Sequence, residues 1–176
     1  DPFFTLSYTG VKGGLVLVCA DDPAMHSSQN EQDNRHFARA AKVPMLEPAD
    51  SQEALDFTRL AFELSEQHDT PVMLRVTTRL SHSDGVVTVG ERVAREPNCA
   101  PFPEPDKYVM IPARARARRR FIAERTAALQ AWNETAPVNQ IVPGSAEIGI
   151  IAAGVVYGDS SEGCVFVDRE VAHSGK

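Results

Sequence analysis

Residues 49–80 read ADSQEALDFTRLAFELSEQHDTPVMLRVTTRL and place an amphipathic segment directly before an apolar run. The first half predicts a helix, because its apolar residues recur at helical spacing: Phe57, Leu60, Ala61 and Leu64. Asp50 is expected to cap this helix, with Glu53 completing a capping box. The second half predicts a buried strand over residues 72–78. A helix joined to a buried strand by a short turn is typical of an α/β fold.

Two further apolar runs lie upstream of this stretch. The run GGLVLVCA, residues 13–20, predicts a strand buried on both faces of a parallel sheet, and VPMLEP predicts a short strand that ends at Pro48. Between them, EQDNRHFARAAK has room for one short helix. The alternation predicts an α/β three-layer sandwich over residues 1–95, with strands at 15–19, 43–46 and 72–78 in one mainly parallel sheet. Ligands of such sheets bind beyond the carboxyl ends of the strands.

Composition narrows the class of protein. The 176 residues are 43% hydrophobic and 24% charged, with a formal net charge of −6, which is typical of a globular domain and unlike a nucleic-acid-binding chain. Cys19, Cys99 and Cys164 are too far apart for a CxxC site or a disulfide framework, which favours a reducing compartment. No apolar run is long enough to span a membrane and no signal sequence opens the chain. These features predict a cytoplasmic protein without a membrane partner.

The amino-acid composition of the sequence changes after residue 95. Residues 96–146 predict a proline-rich linker followed by an arginine-rich helix that Pro112 can begin. Residues 147–157, EIGIIAAGVVY, predict a buried strand that starts a second domain over residues 147–176. The predicted division is therefore 1–95, 96–146 and 147–176.

The arginine-rich helix raises the question of nucleic-acid binding. Six arginines lie between residues 114 and 125, but their spacing spreads charge around the helix and no aromatic platform interleaves them. The sequence therefore favours a solvated helix face, and Arg118 is expected to be a neutral surface position.

The polar segment ADDPAMHSSQNEQDNRHFA, residues 20–38, follows the first predicted strand. Its acidic and histidine side chains match no metal-ligand spacing, so no metal site is predicted in it. A serine nucleophile beside His26 is weaker still, because sequence neighbours rarely converge into a catalytic triad. Binding of a polar ligand and docking of another domain both remain possible. The segment VTTRLSHSDG after the third strand raises a similar choice between ligand contacts and ordinary strand-end capping.

A short motif near the end, GDSS at residues 158–161, is similar to the Gly-Asp opening of the magnesium-diphosphate motif of thiamine enzymes. That motif needs a downstream Asn, which the chain does not show, so the match is interpreted as chance.

Longer strings carry a family resemblance. Residues 8–57, YTGVKGGLVLVCADDPAMHSSQNEQDNRHFARAAKVPMLEPADSQEALDF, with DTPVMLRVTTRLSHSDG and GIIAAG farther on, closely resemble the large (alpha) subunits of the indolepyruvate ferredoxin oxidoreductases. These belong to the thiamine diphosphate-dependent 2-oxoacid:ferredoxin oxidoreductases. The resemblance runs from about residue 1 to 157, and DDPAMHSSQNEQDNR is a long and specific string. The tail at 158–176 does not resemble the family's continuation.

The resemblance implies that the segment is the back half of a domain that binds the pyrimidine of thiamine diphosphate, followed by the start of a transketolase-C-like domain. It implies an enzyme that oxidatively decarboxylates arylpyruvates to acyl-coenzyme A with ferredoxin as electron acceptor. The full enzyme would use thiamine diphosphate, Mg²⁺ and 4Fe-4S iron-sulfur clusters, and would contain a second subunit and form a homo-oligomer. The family's activating Glu lies upstream and its cluster motifs lie downstream, so this chain alone is expected to be inactive and no catalytic residue is assigned.

By the same resemblance, the polar loop faces the cleft where the 2-oxoacid meets the cofactor. The first candidates for cleft-lining residues are His26, Ser27, Ser28, Gln29 and Asn30. Arg79 and His82 are second candidates. The competing hypothesis is a non-catalytic interaction domain that uses the same polar residues to dock a partner subunit.

Overall fold

The computed structural model describes residues 2–92, 94, 104–143 and 149–157. The helices and strands are α1 Pro2–Thr9, β1 Val16–Asp21, α2 Arg35–Ala41, β2 Met45–Leu46, α3 Ser51–His68, β3 Val72–Thr77, α4 Thr78–Ser81, α5 Pro105–Tyr108 and α6 Pro112–Asn133.

The three strands form one parallel sheet in the order β1-β3-β2. The register pairs Val16 with Val72 and Asp21 with Thr77, so the carboxyl ends of β1 and β3 lie side by side. This confirms the predicted strands and their parallel direction. Side chains on the loops that leave β1 and β3 are thereby brought to one edge of the sheet.

Helices cover both faces of the sheet. On one face, α3 packs against the strands through a core of Leu46, Ala61, Leu64, Val72 and Leu74, with Phe57 and Leu60 partly buried beside it. On the other face, α2 contributes Ala38 and Ala41 to a core that includes Met73. The alternation of Leu74 and Met73 between the two cores follows from the two-residue period of a strand. The predicted three-layer α/β sandwich is confirmed.

The cap of α3 follows the prediction with one difference. The Asp50 carboxylate accepts from the Glu53 amide at 2.8 Å, as a capping box requires. The Glu53 carboxylate, however, accepts from the amide of Ala49 at 2.7 Å, one residue earlier than the capping residue itself. The two side chains thus satisfy one amide in the first turn of α3 and one amide just before the cap, which favours the start of α3 at this point.

The prediction that the first strand is buried on both faces is wrong. Val18 is 61% exposed and Leu17 39% exposed, whereas Val72, Met73 and Leu74 of β3 are buried. The physical reason is position: among the described strands β1 lies at the edge and β3 at the centre. A continuous apolar run does not distinguish these two positions.

The expectation of a solvated arginine helix is wrong for two of its arginines. Arg118 donates to the Tyr8 carbonyl at 2.8 Å and to the Asp69 carboxylate at 2.9 Å. Arg125 is 4% exposed and donates to the carbonyls of Ser7 at 3.2 Å and Asp69 at 2.9 Å. These contacts attach α6 to α1 and to the end of α3, so Arg118 is not a neutral surface position. The cause is that the carbonyls ending a helix need donors, which the forked guanidinium supplies.

The predicted helix in this region is confirmed, with Pro112 in its first turn. The proline-rich segment before it contains one helical turn, Pro105–Tyr108, and residues 95–103 lie outside the described part. The division of the chain at residues 95 and 146 stays a prediction.

The strand predicted at residues 147–157 is wrong over the residues described there. Residues 149–153 have no regular structure, Gly154 has a positive φ of 60°, and residues 155–157 are helical. Ile151 is 94% exposed. A strand needs a neighbour to satisfy its backbone groups, and this run pairs with no described strand. The second domain stays a prediction, because residues 158–176, including the GDSS motif, lie outside the described part.

Within the described ranges, no helix combines the length and the apolar character needed to cross a membrane.

Candidate functional site

A cavity of about 420 Å³ lies at the carboxyl ends of β1 and β3. Polar and charged side chains form one part of its wall: His26, Arg35, Glu47, Arg75, Thr77, Thr78 and Arg79. Apolar residues form the rest: Pro23, Ile151, Ala152, Ala153, Val155 and Val156. This is the edge at which parallel α/β sheets bind their ligands.

A buried charge network underlies this wall. Arg75 occupies the centre of the sheet and is 2% exposed. Its Nε lies 2.5 Å from Asp21 Oδ2, and its Nη1 lies 2.6 Å from Glu47 Oε1. The guanidinium thus joins the ends of all three strands, since Asp21 ends β1 and Glu47 follows β2. Removing one partner of such a buried set leaves the others with unpaired charge, which is strongly destabilising.

Asp21 also holds the start of α2. Its carboxylate accepts from the Asn34 amide at 2.8 Å and from the Asn34 side chain. Burial alone would raise the pKa of Asp21, but the hydrogen bonds from Asn34 and Arg75 outweigh it and the net pKa is lowered. The side chain therefore stays ionised as the counter-ion of Arg75.

Asp22 organises the polar loop. Its carboxylate accepts from the amides of Ser27 at 2.7 Å, Ser28 at 2.7 Å and His26 at 2.9 Å, and from the Thr78 hydroxyl at 2.8 Å. These hydrogen bonds, the one from Ser27 first, lower the pKa of Asp22 well below its usual value against the opposing effect of burial. The loop after β1 is thus tied to the residue that follows β3.

The turn inside this loop carries backbone strain. Ala24 and Met25 both have positive φ angles, 63° and 55°, a region that favours glycine. Two successive non-glycine residues in that region persist only where surrounding contacts hold them. Here the contacts are those of Asp22, and the next residue, His26, lines the cavity.

The predicted site residues divide into two groups. His26 and Arg79 line the cavity. Ser27, Ser28, Gln29, Asn30 and His82 are exposed and do not line it. Ser27 and Ser28 contribute backbone amides to Asp22, and Gln32 donates to the Asn30 side chain at 2.8 Å. The geometry brings the loop and Arg79 to one sheet edge, and a ligand-binding role for each of the seven stays a prediction.

Three residues of the cavity wall were missed by sequence reasoning: Arg35, Glu47 and Arg75. One signal was present, because an arginine inside the apolar run VMLRV must find buried carboxylates. The sequence does not show which carboxylates those are.

A larger cavity of about 820 Å³ lies between β2 and the C-terminal half of α6. It shares Glu47 and the segment 151–153 with the smaller cavity but receives no side chain from the ends of β1 or β3. We therefore take the smaller cavity as the candidate site. No group of three or more His, Cys, Asp or Glu side chains in the described ranges is arranged to hold a metal ion.

Comparison with known proteins gives one family. The family model described as "Pyruvate flavodoxin/ferredoxin oxidoreductase, thiamine diP-bdg" matches residues 19–147, which include the end of β1, the polar loop, β2, β3 and α6. No solved structure matches the chain significantly.

Curated relatives share the same name across several archaea. Over 160 residues the chain is 47% identical to indolepyruvate oxidoreductase subunit IorA of Methanothermobacter thermautotrophicus, covering 89% of this chain and 26% of the relative. It is 42% identical over 163 residues to the subunit IorA of Archaeoglobus fulgidus, covering 92% and 26%. It is 39% identical over 176 residues to that of Thermococcus kodakarensis, covering 97% and 27%. The chain therefore spans about a quarter of the length of these relatives.

Proposed function

The chain belongs to the pyruvate flavodoxin/ferredoxin oxidoreductase family, in its thiamine diphosphate-binding domain, and we propose that it is part of an enzyme that oxidatively decarboxylates arylpyruvates. The product is an acyl-coenzyme A and the electrons pass to ferredoxin. The proposal takes the substrate class from the indolepyruvate oxidoreductase relatives. A second subunit, homo-oligomer formation and a cytoplasmic location belong to the same proposal.

The observation that carries the proposal is the charged cavity at the carboxyl ends of β1 and β3. Its polar and charged lining residues, His26 among them, lie within the matched region, and most of its apolar lining comes from residues 151–153, 155 and 156, which lie beyond that region. A 2-oxoacid with an aromatic side chain likewise has one charged end and one apolar end, which match the two parts of the cavity wall. The cavity of about 420 Å³ falls in the range of small-molecule sites, roughly 300 to 1,000 Å³.

The residues present fit one part of the cofactor. The cavity offers hydroxyl, guanidinium and apolar groups, which suit an uncharged ring or a 2-oxoacid. The diphosphate needs Mg²⁺ ligands, and the described ranges contain no cluster that could hold the ion. From the family resemblance, we infer that the diphosphate, Mg²⁺ and the iron-sulfur clusters are bound by other parts of the full enzyme. Thiamine diphosphate, when bound, supplies the electron sink for decarboxylation.

In this proposal the chain positions the substrate. Asp22 holds the backbone of the loop, and His26 lies at the cavity wall. We infer that the exposed side chains of Gln29 and Asn30 meet another domain of the full enzyme. Their side chains, with those of Ser27 and Ser28, donate to groups whose charge changes as carbon dioxide leaves. Preorganised donors of this kind act on turnover more than on binding. Arg79 and His82 flank the same edge from the end of β3.

The test uses the complete enzyme with an arylpyruvate, coenzyme A and a ferredoxin or dye acceptor. We expect His26→Ala and Gln29→Ala each to lower turnover by about a hundredfold, the effect of removing one preorganised donor. Arg119→Ala on the exposed side of α6 is the matched control and should retain full turnover. Thermal melts and cluster content should be unchanged in all three variants. Wild-type turnover in both loop variants would show that the loop is structural.

The competing hypothesis of a non-catalytic docking domain is not favoured, since the match is to an enzyme family over most of the chain.

A further inference from the structure

The place where α1, α3 and α6 meet contains a buried cation without a counter-ion. Arg125 is 4% exposed, and its guanidinium donates to the carbonyls of Ser7 and Asp69 and to the Ser7 hydroxyl. Among the described residues, no carboxylate forms an ion pair with it. A buried charge without an opposite charge costs free energy even when its hydrogen bonds are partly satisfied. This junction therefore has a place for an anion.

The Asp69 carboxylate is not that anion, because other donors occupy both of its oxygens. Its Oδ1 accepts from Lys107 Nζ at 2.7 Å and from the Val11 amide at 2.8 Å, and its Oδ2 accepts from Arg118 at 2.9 Å. One carboxylate thus already pairs with two cations. The pKa of Arg125 reflects the excess of positive charge: burial lowers it first and the charge of Arg118 second, against the opposite effect of Asp69.

Three buried polar atoms at this junction lack a hydrogen-bond partner within the described ranges. They are Arg125 Nε, Thr70 Oγ1 and His68 Nε2, and Thr70 is fully buried. His68 and Thr70 flank Asp69 in the sequence, and the Asp69 carbonyl accepts from Arg125 Nη1 at 2.9 Å. All three residues therefore lie at one peptide unit, the turn between α3 and β3. Buried polar atoms are almost always hydrogen-bonded, so these three indicate a missing partner.

The chemistry of the three atoms indicates an acceptor. Arg125 Nε can only donate, and the Thr70 hydroxyl can donate as well as accept. Burial first, and the guanidinium of Arg125 second, lower the pKa of His68, so its ring is neutral at pH 7 and carries a hydrogen on one nitrogen. A single anion can accept from all three atoms. Unlike a water molecule, it also compensates the charge of Arg125.

Burial limits the size of the anion. The three atoms have almost no accessible surface, so a carboxylate side chain from another domain of the full enzyme does not reach them. A small ion can enter through a brief local opening of the kind that all folded proteins undergo.

We propose that the junction of α1, α3 and α6 binds one small monoanion of the halide class, of which chloride is the common member. The ion accepts from Arg125 Nε, Thr70 Oγ1 and His68 Nε2, and it ties α6 to the turn between α3 and β3. Thr70 precedes β3, so this site lies at the opposite end of that strand from the candidate cavity. The inference does not rest on the proposed function.

The first test is crystallography of the complete enzyme soaked in sodium bromide, with data collected at the bromine absorption edge. We expect an anomalous peak in contact with Arg125 Nε and Thr70 Oγ1. Thr70→Val, which removes one donor at nearly constant volume, should remove the peak, and so should Arg125→Lys. Thr70→Ser keeps the hydroxyl and should keep the peak.

The same strand offers a matched control at its other end. Thr77 is 8% exposed and its Oγ1 also has no partner in the part of the chain that the structure describes. Thr77→Val should therefore leave the peak at the junction unchanged.

The second test is thermal unfolding of the complete enzyme in sodium chloride and in sodium gluconate at equal ionic strength. Gluconate is too large to enter a buried site, so only chloride should raise the melting temperature, as a ligand of the folded state does. In Thr70→Val the chloride concentration at which the rise begins should increase about tenfold, the loss of one hydrogen bond to a charged group.

The remaining outcomes would overturn the proposal. Density without anomalous signal would mean that water satisfies the three atoms, and no density would mean that they stay unpaired. A bromide peak of full height in both Thr70→Val and Arg125→Lys would identify an adventitious ion only. Equal melting temperatures of wild type in chloride and gluconate would show that the ion contributes nothing to the fold.

Discussion

Asp22 fixes the course of a loop that the sequence shows only as a polar run. Its carboxylate accepts hydrogen bonds from three amides and from the Thr78 hydroxyl. These contacts hold a loop in which two successive residues have positive φ angles. Its neighbour Asp21 points into the sheet and pairs with Arg75. The two adjacent aspartates therefore have different roles: Asp22 holds the loop in place, and Asp21 neutralises the buried guanidinium of Arg75.

The lowered pKa of Asp22 makes a prediction about acid stability. A carboxylate whose folded pKa lies below its unfolded value, about 3.9, stabilises the fold above that pH and loses the contribution as the pH falls through the folded pKa. We expect Asp22→Asn to melt at a lower temperature than wild type at pH 7. The difference should narrow as the pH falls below about 4, because protonation then removes the same contribution from wild type.

Thermal melts of both proteins from pH 7 to pH 2.5 measure this difference. Asp84→Asn, at an exposed position, is the control and should melt like wild type throughout. A difference between Asp22→Asn and wild type that stayed constant with pH would contradict the assigned role of the ionised carboxylate.

At the scale of elements, α6 joins the sandwich through its arginines. Ile122 and Arg125 are its buried residues, and Arg118 and Arg125 donate to the ends of α1 and α3. Burial, with a smaller effect of Arg118, lowers the pKa of Arg125 to about 10, so the side chain remains charged at neutral pH. The helix is held by hydrogen bonds to carbonyls as much as by apolar packing.

This attachment predicts unequal effects of arginine substitutions along one helix. Arg125→Ala should lower the free energy of unfolding by about 2 to 4 kcal/mol, because it leaves buried carbonyls without donors. Arg119→Ala should change it by no more than about 0.5 kcal/mol, as at other exposed positions. Urea denaturation of both variants measures the contrast. Equal stabilities would mean that α6 is a solvated helix after all.

At the scale of the whole molecule, both the polar and the apolar lining residues of the strand-end cavity come from this chain. It spans about a quarter of its relatives' length, and its described part provides a strand-end cavity without metal ligands. We predict that the purified 176-residue chain reduces no acceptor with an arylpyruvate, thiamine diphosphate, Mg²⁺ and coenzyme A. The complete enzyme, assayed under the same conditions, is the positive control. Measurable acceptor reduction by the chain alone would contradict the proposal that turnover needs other parts of the full enzyme.

The sequence by itself determined the layer architecture. Residues 72–78 and the amphipathic helix before them are specified by local periodicity, and the capping of α3 by Asp50 is a contact over three residues. The parallel direction of the three strands follows from the helices that connect consecutive strands, α2 between β1 and β2 and α3 between β2 and β3. These features depend on interactions between residues that are close in sequence, so the sequence alone was enough to predict them.

Only the tertiary structure decided which strand is central and which polar groups meet. Arg75 lies 54 residues from Asp21 and 28 from Glu47, and Arg125 lies 118 from Ser7. Local patterning cannot encode pairings over such separations, because they depend on strand order and on where α6 docks. The strand predicted at 147–157 was wrong for the same reason, since an apolar run becomes a strand only where a partner strand is present.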